Sequence, residues 1–393
     1  MLNYLGPILI ISGTAIGAGM LGLPISTGLA GFFPSMMIFV LSWFFMMVTA
    51  FCLLEVSLWM PKGADLLTMI EKTLGKKGRF LGGCFYLLLL YCLTCAYIRG
   101  AASLSDDLAS YCFSMQVPSY LSPLPIVVFF GSFVYLGSYV VDRVNQAMML
   151  GLFLSYCFLV ASANRYVQFS NFEHINYSHI PATLALSITS FGFHVVIPSL
   201  VHYMKSDVKK LVNTLFLGSI IPLFFYTIWQ FLILGVLPLQ GPYGIEDSYQ
   251  RGLFATQPLQ YILKKPSIAI VANFFSFFSI STSFLGVSLS LMHFLSDAIQ
   301  IRKSIWGNFQ ICLLTFLPPL LFVLSGSKGF YLALDFAGIF VALLLGILPV
   351  CMVWKGRYSQ KREGFRVYGG KALLVLTASF FVIVLFSELW RKY

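Results

Sequence analysis

The sequence predicts an all-α integral membrane protein of eleven transmembrane helices, ten of them forming two inverted halves of five, with helices 1 and 6 interrupted. Three observations predict it. The 393-residue chain is 59% hydrophobic and only 10% charged, where a soluble domain is about 25% charged, and its mean hydropathy is +0.86. Apolar runs of about 20 residues, each long enough to cross a bilayer core of about 30 Å, recur along the whole length. Two of those runs carry a glycine followed by a proline near their middle, where a membrane helix should be most regular.

The expected spans are 5–31, 33–59, 79–103, 124–141, 144–163, 180–203, 211–238, 266–299, 305–325, 329–354 and 370–390. Segment 63–75 reads as a short amphipathic piece. Residues 239–265 form the longest loop and should hold a short surface helix. The net charge of +11 fits positive-inside loops rather than nucleic-acid binding. With the N-terminus cytoplasmic, seventeen Lys and Arg fall in inside loops, among them Lys62, Arg79, Arg302, Lys303 and Arg357. Seven fall outside, including Lys328, Arg391 and Lys392, and Arg99 lies within a span. An odd helix count then places the C-terminus outside. No basic n-region precedes the first apolar run, so a cleaved signal peptide is not expected. Seven of the eight cysteines lie in or beside apolar spans, and only Cys112 falls in an expected outer loop. Cys92 and Cys95 have CxxC spacing but no second ligand pair, so no metal is expected there.

The first interruption is Ser12–Pro24, with Gly13, Gly17, Gly19 and Gly22 before the proline. Interior glycine costs a helix about 1 kcal/mol relative to alanine, and proline about 3. In hydrocarbon a freed backbone group finds no water, so such a break belongs in a protein-lined cavity. The second is in the sixth span, where Gly192 and Pro198 bracket Phe193 and His194. Close helix packing through small residues explains either stretch alone. Paired interruptions at corresponding places in two halves point instead to a transporter site. The halves are 1–163 and 180–354, inserted with opposite topology because five is odd, and 370–390 is the eleventh helix.

An unwound helix presents N–H groups that suit a carboxylate, and carbonyls that suit an ammonium or a cation. A zwitterionic amino acid satisfies both. Gly17, Ala18 and Gly19 are expected to hold the carboxylate, with Thr14 adding a hydroxyl. Carbonyls of 189–192, including Ser190 and Gly192, are expected to face the ammonium. Phe191, Phe193 and His194 would form the side-chain pocket, aromatic packing adding about 0.5–1.5 kcal/mol beyond burial. His194 reads equally as a substrate or proton contact and as a structural histidine.

The runs Gly13-Thr-Ala-Ile-Gly-Ala-Gly-Met20 with Leu23-Pro24, Thr189-Ser-Phe-Gly-Phe-His194 with Pro198-Ser-Leu200, and Thr282-Ser-Phe-Leu-Gly-Val-Ser-Leu289 resemble the bacterial aromatic amino acid permeases. The likeness covers nearly the whole chain and is strongest to the tyrosine-specific branch. It implies a fold of the LeuT type within the amino acid–polyamine–organocation superfamily, and proton-coupled import of an aromatic amino acid across the bacterial inner membrane, with tyrosine ahead of tryptophan. Where the family has Gly-Asn after the histidine, this chain has Val195-Val196. A flexible and a polar residue are thereby lost beside the pocket, which leaves the preferred aromatic substrate open.

Charged groups inside a membrane are functional candidates. Glu55, six residues before Pro61, reads as a proton carrier or as a partner of Lys62 or Arg79. Arg99 and Asp335 should lie at similar depth near the outer mouth and form a gate pair, or else extend separately to the interface. Ser281, Thr282 and Ser283, with Ser279, give the eighth helix a hydroxyl cluster. In related sodium symporters such hydroxyls ligate sodium with carbonyls of helix 1, so sodium stands as the alternative to the proton. No cofactor, nucleic acid or protein partner is implied beyond the bilayer and a small-molecule substrate. An enzyme would require clustered carboxylates or histidines, a primary pump a nucleotide-binding loop, and a channel rings of charge or a repeated filter. The sequence has none of these.

Overall fold

The structure, a computed structural model, describes residues 2–61, 63–113, 118, 120–300, 304–325 and 329–390. In chain order the helices are α1 (Leu2–Ala15), α2 (Gly19–Gly28), α3 (Phe32–Leu58), α4 (Leu66–Leu74), α5 (Lys76–Phe113), α6 (Leu124–Leu136), α7 (Ser138–Ala163), α8 (Ile180–Ser190), α9 (Ile197–Tyr203), α10 (Val208–Val236), α11 (Ile245–Arg251), α12 (Thr256–Leu263), α13 (Pro266–Ile299), α14 (Ile305–Leu324), α15 (Gly329–Val341), α16 (Leu348–Tyr358) and α17 (Gly370–Trp390). Among the described residues, nine helical segments are long and apolar enough to cross a membrane. The bent pair α1–α2 makes a tenth. The thirteen residues of α6 rise only about 20 Å at 1.5 Å per residue, less than a bilayer core. The expected eleven spans therefore resolve into ten of full length and one short one.

The expected boundary between the fourth and fifth spans shifts. The chain breaks at Gly137, whose φ of 100° lies in the left-handed region open to glycine, and α7 starts at Ser138. Continuous apolar sequence on both sides concealed this turn. Segment 63–75 contains α4, capped by Asp65 Oδ1 accepting from Thr68 N–H at 2.9 Å. The long loop holds two short helices, α11 and α12, rather than one. Cys112 falls within α5 and not in a loop.

Large apolar side chains cover the outside of the bundle, Phe80, Val128, Tyr139 and Trp306 among them. A surface of this kind suits lipid and not water. Inside, α10 packs along both halves of the first broken helix, α8 packs against α2, α3 and α15, and α13 lies against α5 and α7.

Proline removes a donor, and the carbonyl four residues earlier is left without its helical partner. In a membrane each such carbonyl requires a donor from the protein. Pro24 frees the Met20 carbonyl, and Trp229 Nε1 donates to it at 3.0 Å. Pro222 frees Gly218, which accepts from Ser12 Oγ at 2.9 Å. Pro318 frees Leu314, which accepts from Tyr91 Oη at 2.9 Å. Every donor comes from a distant segment, so the prolines that interrupt helices also fasten them together.

Candidate functional site

The first break runs from Ala15 to Gly19 and turns the chain by 54° between α1 and α2. The Ala18 N–H donates to Ser283 Oγ of α13 at 2.8 Å. A Cβ at Gly17 would overlap that hydroxyl, so glycine is required for α13 to approach so closely. A Cβ at Gly19 would lie 2.9 Å from Ser190 Oγ and 3.9 Å from Ser190 Cα. The start of α2 therefore abuts the end of α8, and the two breaks meet.

The second break is longer. After Ser190 the Phe191 N–H turns back to the Ile188 carbonyl and the Gly192 N–H to Thr189, each at 3.1 Å. A 3-10 turn over His194–Val196 leads into α9, with Pro198 in its first turn, where a missing N–H costs nothing. Phe191, Phe193 and His194 are fully buried, whereas Val195 is exposed. His194 Nε2 lies 2.9 Å from Thr49 Oγ1, which in turn lies 3.1 Å from the Met46 carbonyl. This chain is satisfied when Thr49 donates to Met46 and accepts from Nε2–H. His194 Nδ1 is then a buried acceptor with no protein partner among the described residues.

One face of α10 serves both breaks. Tyr226, Trp229 and Gln230 stand at the i, i+3, i+4 positions that share a helix face. Tyr226 Oη lies 2.6 Å from the Ala15 carbonyl and 2.9 Å from the Ser190 carbonyl, at the ends of α1 and α8. Its ring meets Phe191 edge-on at 5.3 Å. Trp229 takes the Met20 carbonyl, and Gln230 Nε2 donates to Thr27 Oγ1 at 2.8 Å. The sequence reading missed all three. Gln230, a polar residue deep in an apolar span, was the available signal.

The other candidates are distributed as follows. Gly17, Ala18, Gly19, Ser190, Phe191, Gly192, Phe193 and His194 all lie at the two breaks, and Ser283 joins them. Thr14 does not: it is exposed, and its hydroxyl bonds the Ile10 carbonyl of its own helix at 2.7 Å. Ser281 and Thr282 are buried, and Thr282 Oγ1 donates to the Phe278 carbonyl at 2.8 Å. Of the three N–H groups expected at residues 17–19, that of Ala18 is already engaged by Ser283.

Glu55 does not pair with Arg79, one of its two expected partners. Lys62 lies outside the described residues, as do Arg302, Lys303, Lys328, Arg391 and Lys392, and Arg79 pairs with Glu71. Glu55 is instead gripped by Arg357 of α16. Nε donates to Oε1 at 2.6 Å and Nη2 donates to Oε2, while the Val367 N–H reaches Oε2 at 2.8 Å. A separation of 302 residues put this partner beyond any local pattern. Arg99 is half-buried on α5 and Asp335 is buried on α15, which packs along α5.

Residues 2–388 match the tryptophan/tyrosine permease family. The chain is 32% identical over 389 residues to tyrosine-specific transport system 1 of Haemophilus influenzae, with 98% of this chain and 96% of that one covered. It is 30% identical over 399 residues to the tryptophan-specific transport protein of the same organism, at 98% and 96% coverage. Its fold is similar to that of the Eremococcus coleocola manganese transporter, in the crystal structure of a histidine-to-alanine mutant, with a TM-score of 0.63 at 13% identity, covering 99% of this chain and 86% of that one.

Proposed function

The chain belongs to the tryptophan/tyrosine permease family, and we propose that it imports an aromatic amino acid, tyrosine before tryptophan, across the bacterial inner membrane by proton symport with alternating access. The meeting of the two breaks carries this reading. Gly19 abuts Ser190, and the carbonyl ends of α1 and α8 converge on one hydroxyl. In this reading the N–H groups at the start of α2 hold the carboxylate, assisted by the positive end of that helix. The Ala15 and Ser190 carbonyls take the ammonium, and Phe191, Phe193 and His194 surround the ring.

The architecture that suits this cycle is a LeuT-type pair of inverted halves, 1–163 and 180–354, with the eleventh helix outside them, the N-terminus cytoplasmic and the C-terminus periplasmic. The free Nδ1 of His194 makes it the candidate proton contact. The oxygens of Glu55 are committed to Arg357 and the Val367 N–H, which suits a lock on that end of the bundle better than proton carriage. Sodium coupling through Ser281, Thr282 and Ser283 is the second reading, and Arg99 with Asp335 is the candidate gate pair.

Uptake of labelled tyrosine into proteoliposomes, driven by an imposed pH gradient in sodium-free buffer, tests the proposal. Saturable uptake is expected, with tryptophan and phenylalanine as the strongest unlabelled competitors after tyrosine. Stronger competition by serine, leucine or glutamine than by any aromatic would reject the substrate class. A requirement for sodium would reject the proton.

A further inference from the structure

Two hydroxyls occupy positions that a zwitterion's charged ends would use, and neither belongs to a broken helix. Tyr226 Oη of α10 stands between the Ala15 and Ser190 carbonyls at 2.6 and 2.9 Å. A phenol carries one hydrogen, so it can satisfy only one of two acceptors at a time. The junction is therefore short of one donor, and an ammonium brings three. Ser283 Oγ of α13 accepts from the Ala18 N–H at 2.8 Å, the role a carboxylate oxygen takes at a helix N-terminus. Tyr226 is fully buried and Ser283 partly so. Without them, the Ala15 and Ser190 carbonyls and the Ala18 N–H would face a membrane interior with no partner.

We infer that Tyr226 and Ser283 act as internal stand-ins for the ammonium and the carboxylate of the substrate, closing the empty site on itself and yielding their partners when an amino acid enters. The inference rests on the amino acid reading given above. It explains how a break in mid-membrane survives between transport events: the Ala18 N–H and one of the two carbonyls always have a partner. It also makes the two hydroxyls competitors of the substrate. Each has a separate target, Tyr226 opposing the ammonium and Ser283 the carboxylate. Removal of either should therefore tighten binding, and only of ligands that carry the corresponding group.

The test uses the purified full-length protein in lipid nanodiscs, with inhibition constants against labelled tyrosine for three ligands. These are tyrosine, tyramine, which lacks the carboxylate, and 3-(4-hydroxyphenyl)propionate, which lacks the ammonium. Tyr226→Phe should tighten tyrosine and tyramine about threefold to tenfold, the range of one net hydrogen bond, and leave the propionate unchanged. Ser283→Ala should tighten tyrosine and the propionate by a similar factor and leave tyramine unchanged. A variant that shifts both analogues alike, or weakens the ligand it should favour, overturns the inference and assigns that hydroxyl to holding the fold. If Tyr226→Phe is not monodisperse, the Ser283→Ala ratios decide alone. Absence of saturable binding of tyrosine and tryptophan to the unmodified protein rejects the proposed function and this inference with it. Saturable binding with unaltered analogue ratios rejects only the exchange.

Discussion

The two breaks do similar work with opposite chemistry. The first spans three residues, Ile16–Ala18, bends the chain by 54°, and has one glycine within it, Gly17, and another, Gly19, just past it. It offers only backbone, and neighbouring helices press against it where a Cβ would stand. The second spans six residues, Phe191–Val196, and continues within one span, Thr183–Tyr203, with no bend above 40°. It is dense in side chains, three of them large, cyclic and fully buried. Backbone N–H and C=O groups recognise what all amino acids share, whereas rings and an imidazole discriminate among side chains. Under the proposed function, the contrast places side-chain selectivity at the second break and leaves the shared groups to backbone at the first break and at the end of α8.

The division is tested first by a control remote from both breaks. Glu55→Ala leaves Arg357 buried without its carboxylate, and losing one partner of such a pair costs about 3–5 kcal/mol. Thermal unfolding in detergent should show the largest loss of stability of any variant here, while the tyrosine-to-tryptophan inhibition ratio of the surviving protein stays fixed. A changed ratio would extend selectivity beyond the second break.

Gly17→Ala places a methyl group against Ser283, and overpacking of this kind costs about 1–3 kcal/mol. Uptake of every substrate should fall together, by roughly tenfold or more. The double change with Ser283→Ala should recover part of it. Selective loss of one amino acid would contradict a shared-group role for the first break.

Trp229→Phe removes the donor to the Met20 carbonyl freed by Pro24. An unpartnered buried acceptor costs about 1–3 kcal/mol, so the melting temperature should fall with little change in selectivity. His194→Gln acts on the other side of the comparison. It should shift the tyrosine-to-tryptophan inhibition ratio about fivefold, the size of one hydrogen bond of about 1 kcal/mol, with stability nearly preserved. An unchanged ratio would return His194 to a structural role beside Thr49.

The smallest effect is expected at Asp207, which caps α10 outside both breaks. The Lys210 side chain bonds its carboxylate, and the Lys210 N–H donates to it as well. Together they hold the Asp207 carboxyl below its usual range. A depressed carboxyl contributes stability above its ordinary pKa and loses it only as pH falls through the lowered value. Asp207→Asn should therefore lower the melting temperature slightly and by a constant amount between about pH 6 and 8, and the difference from the unmodified protein should shrink as pH falls through the lowered value of the Asp207 carboxyl.

Much of the fold was legible because it follows from local chemistry. The spans 266–299 and 370–390 coincide with α13 and α17, since proline or glycine marks their starts and apolar continuity carries them. Both breaks were legible for the same reason. The turn at Gly137 was not, because a single left-handed glycine between two apolar stretches leaves no trace in hydropathy. Nor was the six-residue π-helical segment Ala342–Ile347 between α15 and α16, whose altered hydrogen-bond spacing has no compositional signature.

The sequence alone determined that this chain lives in a membrane and where its first and sixth spans fail, because glycine and proline act on the backbone that carries them. Only the tertiary structure decided which groups repair those failures. The Met20 carbonyl waits for Trp229, Ala18 for Ser283, Glu55 for Arg357, and the ends of α1 and α8 for Tyr226. Hydrogen bonds across hundreds of residues depend on how helices pack, and no local pattern encodes a partner that only packing brings within 3 Å.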